Sequence, residues 1–471
     1  FQAEDGIRDR SPSRGLGDVY KRQKQHSFDQ NKLRIVNSTE TVEMNDSPAT
    51  ALRQKKNSSI KVAVDLLATG EADAVVSAGN TGAAMATAKF VLKSVEGIER
   101  PAIATLMPSI HRNHPFVLLD IGANTDCKPL YLFQFALMGD AYARTLLHLD
   151  NPRVALLNNG EEEGKGYLQL KETYDLLKQS TLNFTGNIEG KSMFKDIVDV
   201  VVCDGFIGNI ALKVAEGTFD FVRSVLREEV DNTLLDKIGY QAMRGPFRAL
   251  RQRADYSEVG GAPLLGVNGI VIICHGSSRV HTIRNAIKHA QESAEQKLKQ
   301  ITGRKHARLM TSATSSLMVA LISWNIRNKN VACVNYSYVA SANQAALLNN
   351  IDLFDVDEKG LMQLDEIFEH DLVIPVSLYG NTIDYDNLKI GKGTKVIVDC
   401  AQSLGAKYKN KPDGSFGDAA VFSFARNKPI ATAGTHGALV WDDDSLTTII
   451  HAVSNNGKLG RDSKIQAYGI N

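Results

Sequence analysis

The chain has 471 residues, 43% of them hydrophobic and 23% charged, with a formal net charge of +1. This length supports two or three domains with substantial cores, and the charge balance removes any global argument for nucleic-acid binding. No apolar run reaches membrane-spanning length, no signal-peptide pattern is present, and the five cysteines are scattered, odd in number and never in a CxxC. They read as reduced cytosolic thiols with no zinc site.

Phe1 to Gln23 shows no usable periodicity and looks like translated sequencing adapter, so it carries no fold expectation. From Lys24 the composition is globular. Leu33 to Asn37 reads as a strand, and Asp46-Ser47-Pro48 as a helix start. The basic cluster Arg53, Lys55 and Lys56 precedes Ser58, which is placed to cap a helix over Ile60 to Leu67. A strand then runs into Ser77-Ala-Gly79-Asn80-Thr-Gly82. Strands are expected at 102–107 and 115–120, the second leading into Asp120-Ile-Gly-Ala-Asn124. A helix over 130–149, a strand over 153–157, a loop containing Gly160 and Lys165, and a helix over 167–178 follow.

Val198 to Cys203 is too continuously apolar for a half-exposed strand and reads as a parallel strand covered on both faces. It enters Asp204-Gly205-Phe206-Ile-Gly208-Asn209 and then a helical pattern through Phe219. The earlier turn aligns with this one glycine for glycine, Gly79 on Gly205 and Gly82 on Gly208. Strand, glycine turn and helix place backbone amides and a positive helix end at the edge of a sheet, which suits an anion. Taken singly, each turn also reads as an ordinary tight turn with glycine for positive φ. A strand over 269–274 with His275-Gly-Ser-Ser278, then a helix to about Gln300, completes the alternation. Residues 24–300 therefore read as a doubly wound α/β domain, with a mostly parallel sheet, helices on both faces and glycine loops converging on one edge.

Between these elements, 234–253 combines an apolar face with Lys237, Arg244, Arg248, Arg251 and Arg253. It reads either as a membrane-surface helix or as a solvated dimer element, with Pro246 interrupting it. Residues 301–310 read as a short polar junction. From Thr311 to Asn471 a second α/β unit is expected. Asp399 stands at the end of an apolar strand, followed by Gln402, Ser423 and Lys428. A carboxylate for a pyridine nitrogen, a hydroxyl for a phosphate and an amine for a Schiff base suit pyridoxal phosphate. A dehydrogenase reading is weaker, because neither glycine loop gives GxGxxG with an acidic residue about 20 positions on.

Arg53-Gln-Lys-Lys-Asn-Ser-Ser59, Ser77 to Ala83, Asp120 to Asn124, Asp204 to Asn209, Tyr256 to Ala262 and His275 to Ser278 stand in one order. Together they resemble the bacterial phosphate acyltransferases over about 33–300. The resemblance implies transfer of a fatty acyl group from acyl carrier protein to inorganic phosphate, for phospholipid synthesis. It also implies no cofactor, a homodimer, and a cytoplasmic protein loosely associated with the membrane. Ser77, Gly79, Gly82, Asp204, Gly205 and Gly208 are then expected to bind phosphate or substrate. Asn80, Asn124 and Asn209 are neutral donors to an oxyanion, and Lys165 or His275 handles charge or a proton. The family's opening strand and its Asp-Ala-Met-Gly-Gly-Asp loop have no equivalent here. Residues 311–471 resemble the nucleotide-sugar aminotransferases of pyridoxal phosphate fold type I. That resemblance implies Lys428 as the cofactor lysine, Asp399 at the ring nitrogen, Gln402 beside the ring, Ser423 and Thr314 at the phosphate, and Tyr338 stacked on the ring. The family's small C-terminal domain has no counterpart, so a partial fold without amino transfer is expected. A non-catalytic module binding an anion or a carrier protein is the remaining alternative.

Overall fold

The computed structural model describes residues 35–111, 114–232, 240, 243, 245, 260–276, 278–363, 369–425, 428 and 436–454. The adapter-like segment and nearly all of 234–253 lie outside the described residues. The chain divides into two compact units, 1–68 with 74–290, and 69–73 with 291–471.

In the first unit the order is α1 (Pro48–Gln54), α2 (Ser59–Ala68), β1 (Ala74–Ser77), α3 (Thr81–Leu92), β2 (Ala102–Met107), β3 (Phe116–Leu119) and α4 (Pro129–Leu147). β4 (Val154–Asn158), α5 (Leu168–Lys178), β5 (Phe184–Glu189), β6 (Val200–Val202), α6 (Gly205–Asn232), β7 (Ala262–Leu265) and β8 (Ile270–Ile273) follow, and α7 (Val280–Thr302) begins in this unit and is counted with the second from residue 291. The sheet has eight strands in the order β1-β8-β7-β2-β3-β6-β4-β5. Alternation sorts its residues onto two faces. Val117, Leu119, Val200 and Val202 join Leu132 and Phe135 of α4, while Phe116, Leu118 and Val201 face the side where Ile207 and Leu212 of α6 pack. Both faces are therefore dry, as the continuous apolar runs require.

Parallel pairing is confined to two blocks. β1 pairs with β8 in parallel, and β3, β6, β4 and β5 form a parallel series. The three pairings between the blocks, β8–β7, β7–β2 and β2–β3, are antiparallel. Following those pairings across the sheet makes the two blocks opposite in direction. The expected convergence of every glycine loop on one edge is thus corrected: the turns after β1 and β6 leave strands of opposite polarity. The Pro-containing β7 carries no strong strand signal in the sequence. Nor does the expected strand at 33–37 appear in its described part, where Ile35 and Val36 are exposed and have no sheet neighbour to bury them.

The second unit contains β9 (His306–Met310), α8 (Ala313–Ser323), β10 (Asn330–Val334), α9 (Ala340–Ala346), β11 (Asn350–Phe354), β12 (Leu372–Ile374) and β13 (Lys395–Asp399). The short pair β14 (Lys407–Tyr408) and β15 (Lys411–Pro412) precedes β16 (Ala419–Ser423), β17 (Gly437–Trp441) and α10 (Asp444–Ser454). Its seven-stranded sheet runs β11-β10-β12-β13-β16-β17-β9. Pairing is parallel from β11 to β16 and antiparallel through β17 to β9.

Residues 301–310, expected as a polar junction, contribute the edge strand β9. Its polar residues have partners distant in sequence, His306 at Asp444 (2.7 Å) and Arg308 at Glu295 (3.5 Å), so His306-Ala-Arg-Leu-Met310 looks polar although Ala307 and Met310 are buried. Just before it, the guanidinium of Arg304, only 4% exposed, donates to the carbonyls of Gly414 (2.9 Å), Phe416 and Gly417 (2.9 Å) and to Asp442 (2.7 Å). A buried cation with this many acceptors locks the strand's entry.

Candidate functional sites

In the first unit, the turn after β6 is closed. Asp204 is 5% exposed; its Oδ1 accepts from the amides of Phe206 and Ile207 (2.9 Å each), and its carbonyl accepts from Gly208. The Gly205 amide donates to the Asn124 carbonyl at 2.6 Å. The amides of Gly205, Phe206 and Ile207, which have no acceptor within the helix, are therefore all used within the protein. Tyr167 adds a hydroxyl bond to Asp204 Oδ2 at 3.0 Å, and burial beside Asp204 pushes its own pKa up.

Asn124 is equally committed. Its side-chain amide donates to the Pro101 carbonyl (2.8 Å) and to Asp120 (2.9 Å), while the fully buried Asp120 collects the amides of Ile103, Gly122, Ala123 and Asn124. Burial raises the Asp120 pKa against those bonds, which favour its charged form. The glycines are required by contact rather than by positive φ. A Cβ on Gly208 would lie 1.8 Å from the Asp120 carbonyl oxygen, and one on Gly205 would lie 2.8 Å from the Asn124 backbone.

The turn after β1 is open. Asn80 caps α3 by accepting the Ala83 amide on Oδ1 (2.9 Å) and the Ala84 amide on its carbonyl, and its Nδ2 donates to the carbonyls of Glu43, Met44 and Asp46 (3.1 Å each). Among the described residues, the Thr81 and Gly82 amides have no such acceptor, and both residues are half-buried rather than sealed. The Gly79 amide is turned to Ser77 Oγ at 3.4 Å. The β8 turn lies alongside: the Cys274 amide donates to the Ser77 carbonyl at 2.7 Å, and the Gly276 position faces the Ala78 carbonyl. His275, exposed, stands in that adjoining turn.

The expected residues thus fall into two groups. Ser77, Gly79, Asn80, Gly82 and His275 share one neighbourhood, and Asn124, Asp204, Gly205, Gly208 and Asn209 share another, where exposed Asn209 borders Gly122. Lys165 belongs to neither bonded network; it is half-exposed with its Nζ 3.9 Å from the Glu162 carboxylate. The side chains of the two cap residues are committed to backbone, Asn80 to the carbonyls of Glu43, Met44 and Asp46 and Asp204 to the amides of Phe206 and Ile207. Cys127, close to Asp120 and Asp204, has its thiol pushed up to about 12 by burial and those carboxylates, which makes it inert.

In the second unit, Thr314, Tyr338, Asp399, Gln402, Ser423 and Lys428 line one cavity of about 220 Å³, with Ser312, Ser341 and apolar walls including Leu317, Val376, Ile397 and Val421. Asp399 ends β13. Its Oδ1 accepts from the Ala401 amide (3.0 Å) and its Oδ2 from the Ser341 hydroxyl (2.6 Å). Desolvation raises its pKa; Ser341, the Ala401 amide and the positive charge of Lys428 oppose that shift. Gln402 Oε1 accepts from the Tyr379 amide at 3.0 Å, fixing the loop above the cavity. Tyr338 is 73% exposed. Sequence reasoning missed Ser341, whose signal is no more than a small hydroxyl residue at the start of the helix that follows β10.

These sites define a tandem of two α/β units: one built on glycine turns, the other on a cavity with a lysine and a carboxylate. No group of residues that could hold a metal occurs among the described residues. Residues 18–301 match the family profile described as "Fatty acid synthesis protein". The chain is 50% identical over 268 residues to the phosphate acyltransferase of Geotalea uraniireducens, covering 57% of this chain and 77% of that relative. With that of Geobacter sulfurreducens it shares 49% over 260 residues, covering 55% and 75%. The chain belongs to the phosphate acyltransferase family. Residues 284–471 match the DegT/DnrJ/EryC1/StrS aminotransferase family profile.

Among solved structures, Helicobacter pylori PseC, an aminotransferase involved in the biosynthesis of pseudoaminic acid, is 26% identical with a TM-score of 0.34, over 36% of this chain and 48% of that one. An aminotransferase from Psychrobacter cryohalolentis is 28% identical with a TM-score of 0.33, over 35% and 44%. The chain spans about half the length of these aminotransferases.

Proposed function

We propose that the first unit transfers a fatty acyl group from acyl carrier protein to inorganic phosphate, yielding acyl phosphate and the free carrier thiol. The 50% identity to a phosphate acyltransferase over 268 residues carries this reading. In the reaction a phosphate oxygen attacks the thioester carbonyl, the C–S bond breaks, and the carrier sulfur leaves with the electron pair and takes up a proton. No protein nucleophile is needed; the protein must hold a dianion beside the thioester and stabilise the oxyanion. The open Thr81 and Gly82 amides, at the positive end of α3, are the donors suited to phosphate. His275, in the adjoining turn, is placed to handle the proton of the leaving thiol. The closed turn after β6 is a scaffold, with Asp204 and Asn124 bracing it.

The family reading extends to a homodimer and a cytoplasmic location with loose membrane contact through 234–253. Exposed Phe206, Ile210, Val214, Phe221 and Val225 along α6 support an apolar contact between copies. Among the described residues no helix is long and apolar enough to cross a membrane.

The test is direct. Incubating the chain with acyl-acyl carrier protein and phosphate should give a hydroxylamine-trappable acyl phosphate. Thioester loss that is equal with and without phosphate would instead identify a thioesterase.

The cavity of the second unit favours a second reading, binding of pyridoxal phosphate. The donor set fits that group: Asp399 for a ring nitrogen, Lys428 for the aldehyde carbon, and hydroxyls of Thr314 and Ser423 for the phosphate, within apolar walls. When bound, the cofactor acts as an electron sink for amino-group chemistry. Asp399 would hold a proton on the ring nitrogen, Tyr338 would cover the ring, and Gln402 would keep the adjoining loop in place.

A further inference from the structure

We propose that Ser341 is the positioning residue of this cavity, orienting Asp399 and keeping it ionised for a pyridine-type cofactor. The inference rests on the pyridoxal phosphate reading of the second unit. Ser341 is 3% exposed, sits in the first turn of α9 after β10, and lines the same cavity as Asp399. β12 lies between β10 and β13 in the sheet, so the 2.6 Å bond reaches across a strand end to Asp399.

A carboxylate with one fixed donor can still rotate about its last torsion. With the Ala401 amide on Oδ1 and Ser341 on Oδ2, both oxygens are held and each keeps further acceptor capacity. Ionisation needs the same donor. The groups that act on Asp399 electrostatically are Lys428, which favours the carboxylate, and the buried thiols of Cys333 and Cys400, each of which is raised partly by Asp399. Ser341 supplies the largest of the effects opposing desolvation. Removing its hydroxyl should therefore let the carboxyl both turn and take up a proton, which weakens its hold on a protonated ring nitrogen.

The experiment titrates the full chain with pyridoxal 5′-phosphate alone, recording the visible absorption band and its pH profile for the parent chain, Ser341→Ala and Ser341→Thr. The expected result is a band in all three. In Ser341→Ala the cofactor should bind about tenfold more weakly, as expected for losing one hydrogen bond to a charged group, and the band's pH profile should be displaced. Ser341→Thr, which keeps the hydroxyl, should restore both. A parent chain that forms no band would overturn the pyridoxal phosphate reading and this inference with it. A parent band with an unaltered affinity and pH profile in Ser341→Ala would overturn the positioning role alone. Weaker binding with an unmoved pH profile, not rescued by threonine, would reduce Ser341 to packing and equally refute it.

Discussion

The turns after β1 and β6 match in sequence glycine for glycine, yet their helices begin at different points. In the first, the cap is Asn80, between the two glycines, and α3 starts at Thr81. In the second, the residue aligned with Ala78 is Asp204, and α6 starts at once with Gly205. A carboxylate placed before the first glycine captures the amides of the first turn; an amide side chain placed after it leaves two of them open. Glycine spacing alone therefore does not make an anion site. What decides it is where the capping side chain falls and what the neighbouring loop donates.

The largest effect is expected from Gly208→Val. Its Cβ would meet the Asp120 carbonyl at 1.8 Å, backbone against backbone, so the closed turn cannot accept it. The first unit should lose about 3 kcal/mol or more, or fail to fold. Far-UV circular dichroism and proteolysis would report this. The only two tryptophans, Trp324 and Trp441, both belong to the second unit and should keep their native fluorescence. A stable first unit that has lost only phosphate binding would show that Gly208 faces a ligand rather than a strand end.

Lys428→Ala should remove the pyridoxal phosphate absorption band altogether, since no other lysine lines the cavity among the described residues. An undiminished band would place the reacting amine elsewhere.

Asp399→Asn gives a smaller effect with a defined sign. An acid whose pKa is raised on folding binds its proton more tightly folded than unfolded. Stability is therefore lost as pH rises from the ordinary aspartate range through the raised folded value. Without the carboxyl, the tryptophan-reported melting point of the cofactor-free chain should rise by on the order of 2–4 °C at pH 8. Near pH 3 it should change little. Equal shifts at both pH values would contradict the desolvation argument.

Tyr167→Phe is the smallest change. It removes one hydroxyl from Asp204 at a half-exposed position, and should cost the first unit about 1 kcal/mol. A loss several times larger would mean that Tyr167, rather than the amides, holds the closed turn together.

Much of this was legible in the sequence. The Val200–Cys203 run announced a strand buried on both faces; Asp399, Ser423 and Lys428 could be grouped by the chemistry they share, and Gln402 by the family resemblance. What stayed hidden depends on partners distant in sequence. The polarity reversal arises from β7 and β2, whose pairing no local pattern records. The strand at His306–Met310 looks polar because His306 and Arg308 meet Asp444 and Glu295, which no local pattern records. The commitment of Asn124 to Asp120 and Pro101, and of Ser341 to Asp399, appears only once the chain has folded.

Phosphate is proposed to sit on the open amides of α3. Thr81→Pro tests it most directly. Thr81 is the first helical residue and Asn80 before it is extended (φ −62°, ψ 114°), so proline is accommodated while one donor is deleted. The melting point and the KM for acyl-acyl carrier protein should be unchanged, and the KM for phosphate should rise about tenfold, as for one lost charge-assisted bond. An identical phosphate dependence in the variant and the parent would contradict it.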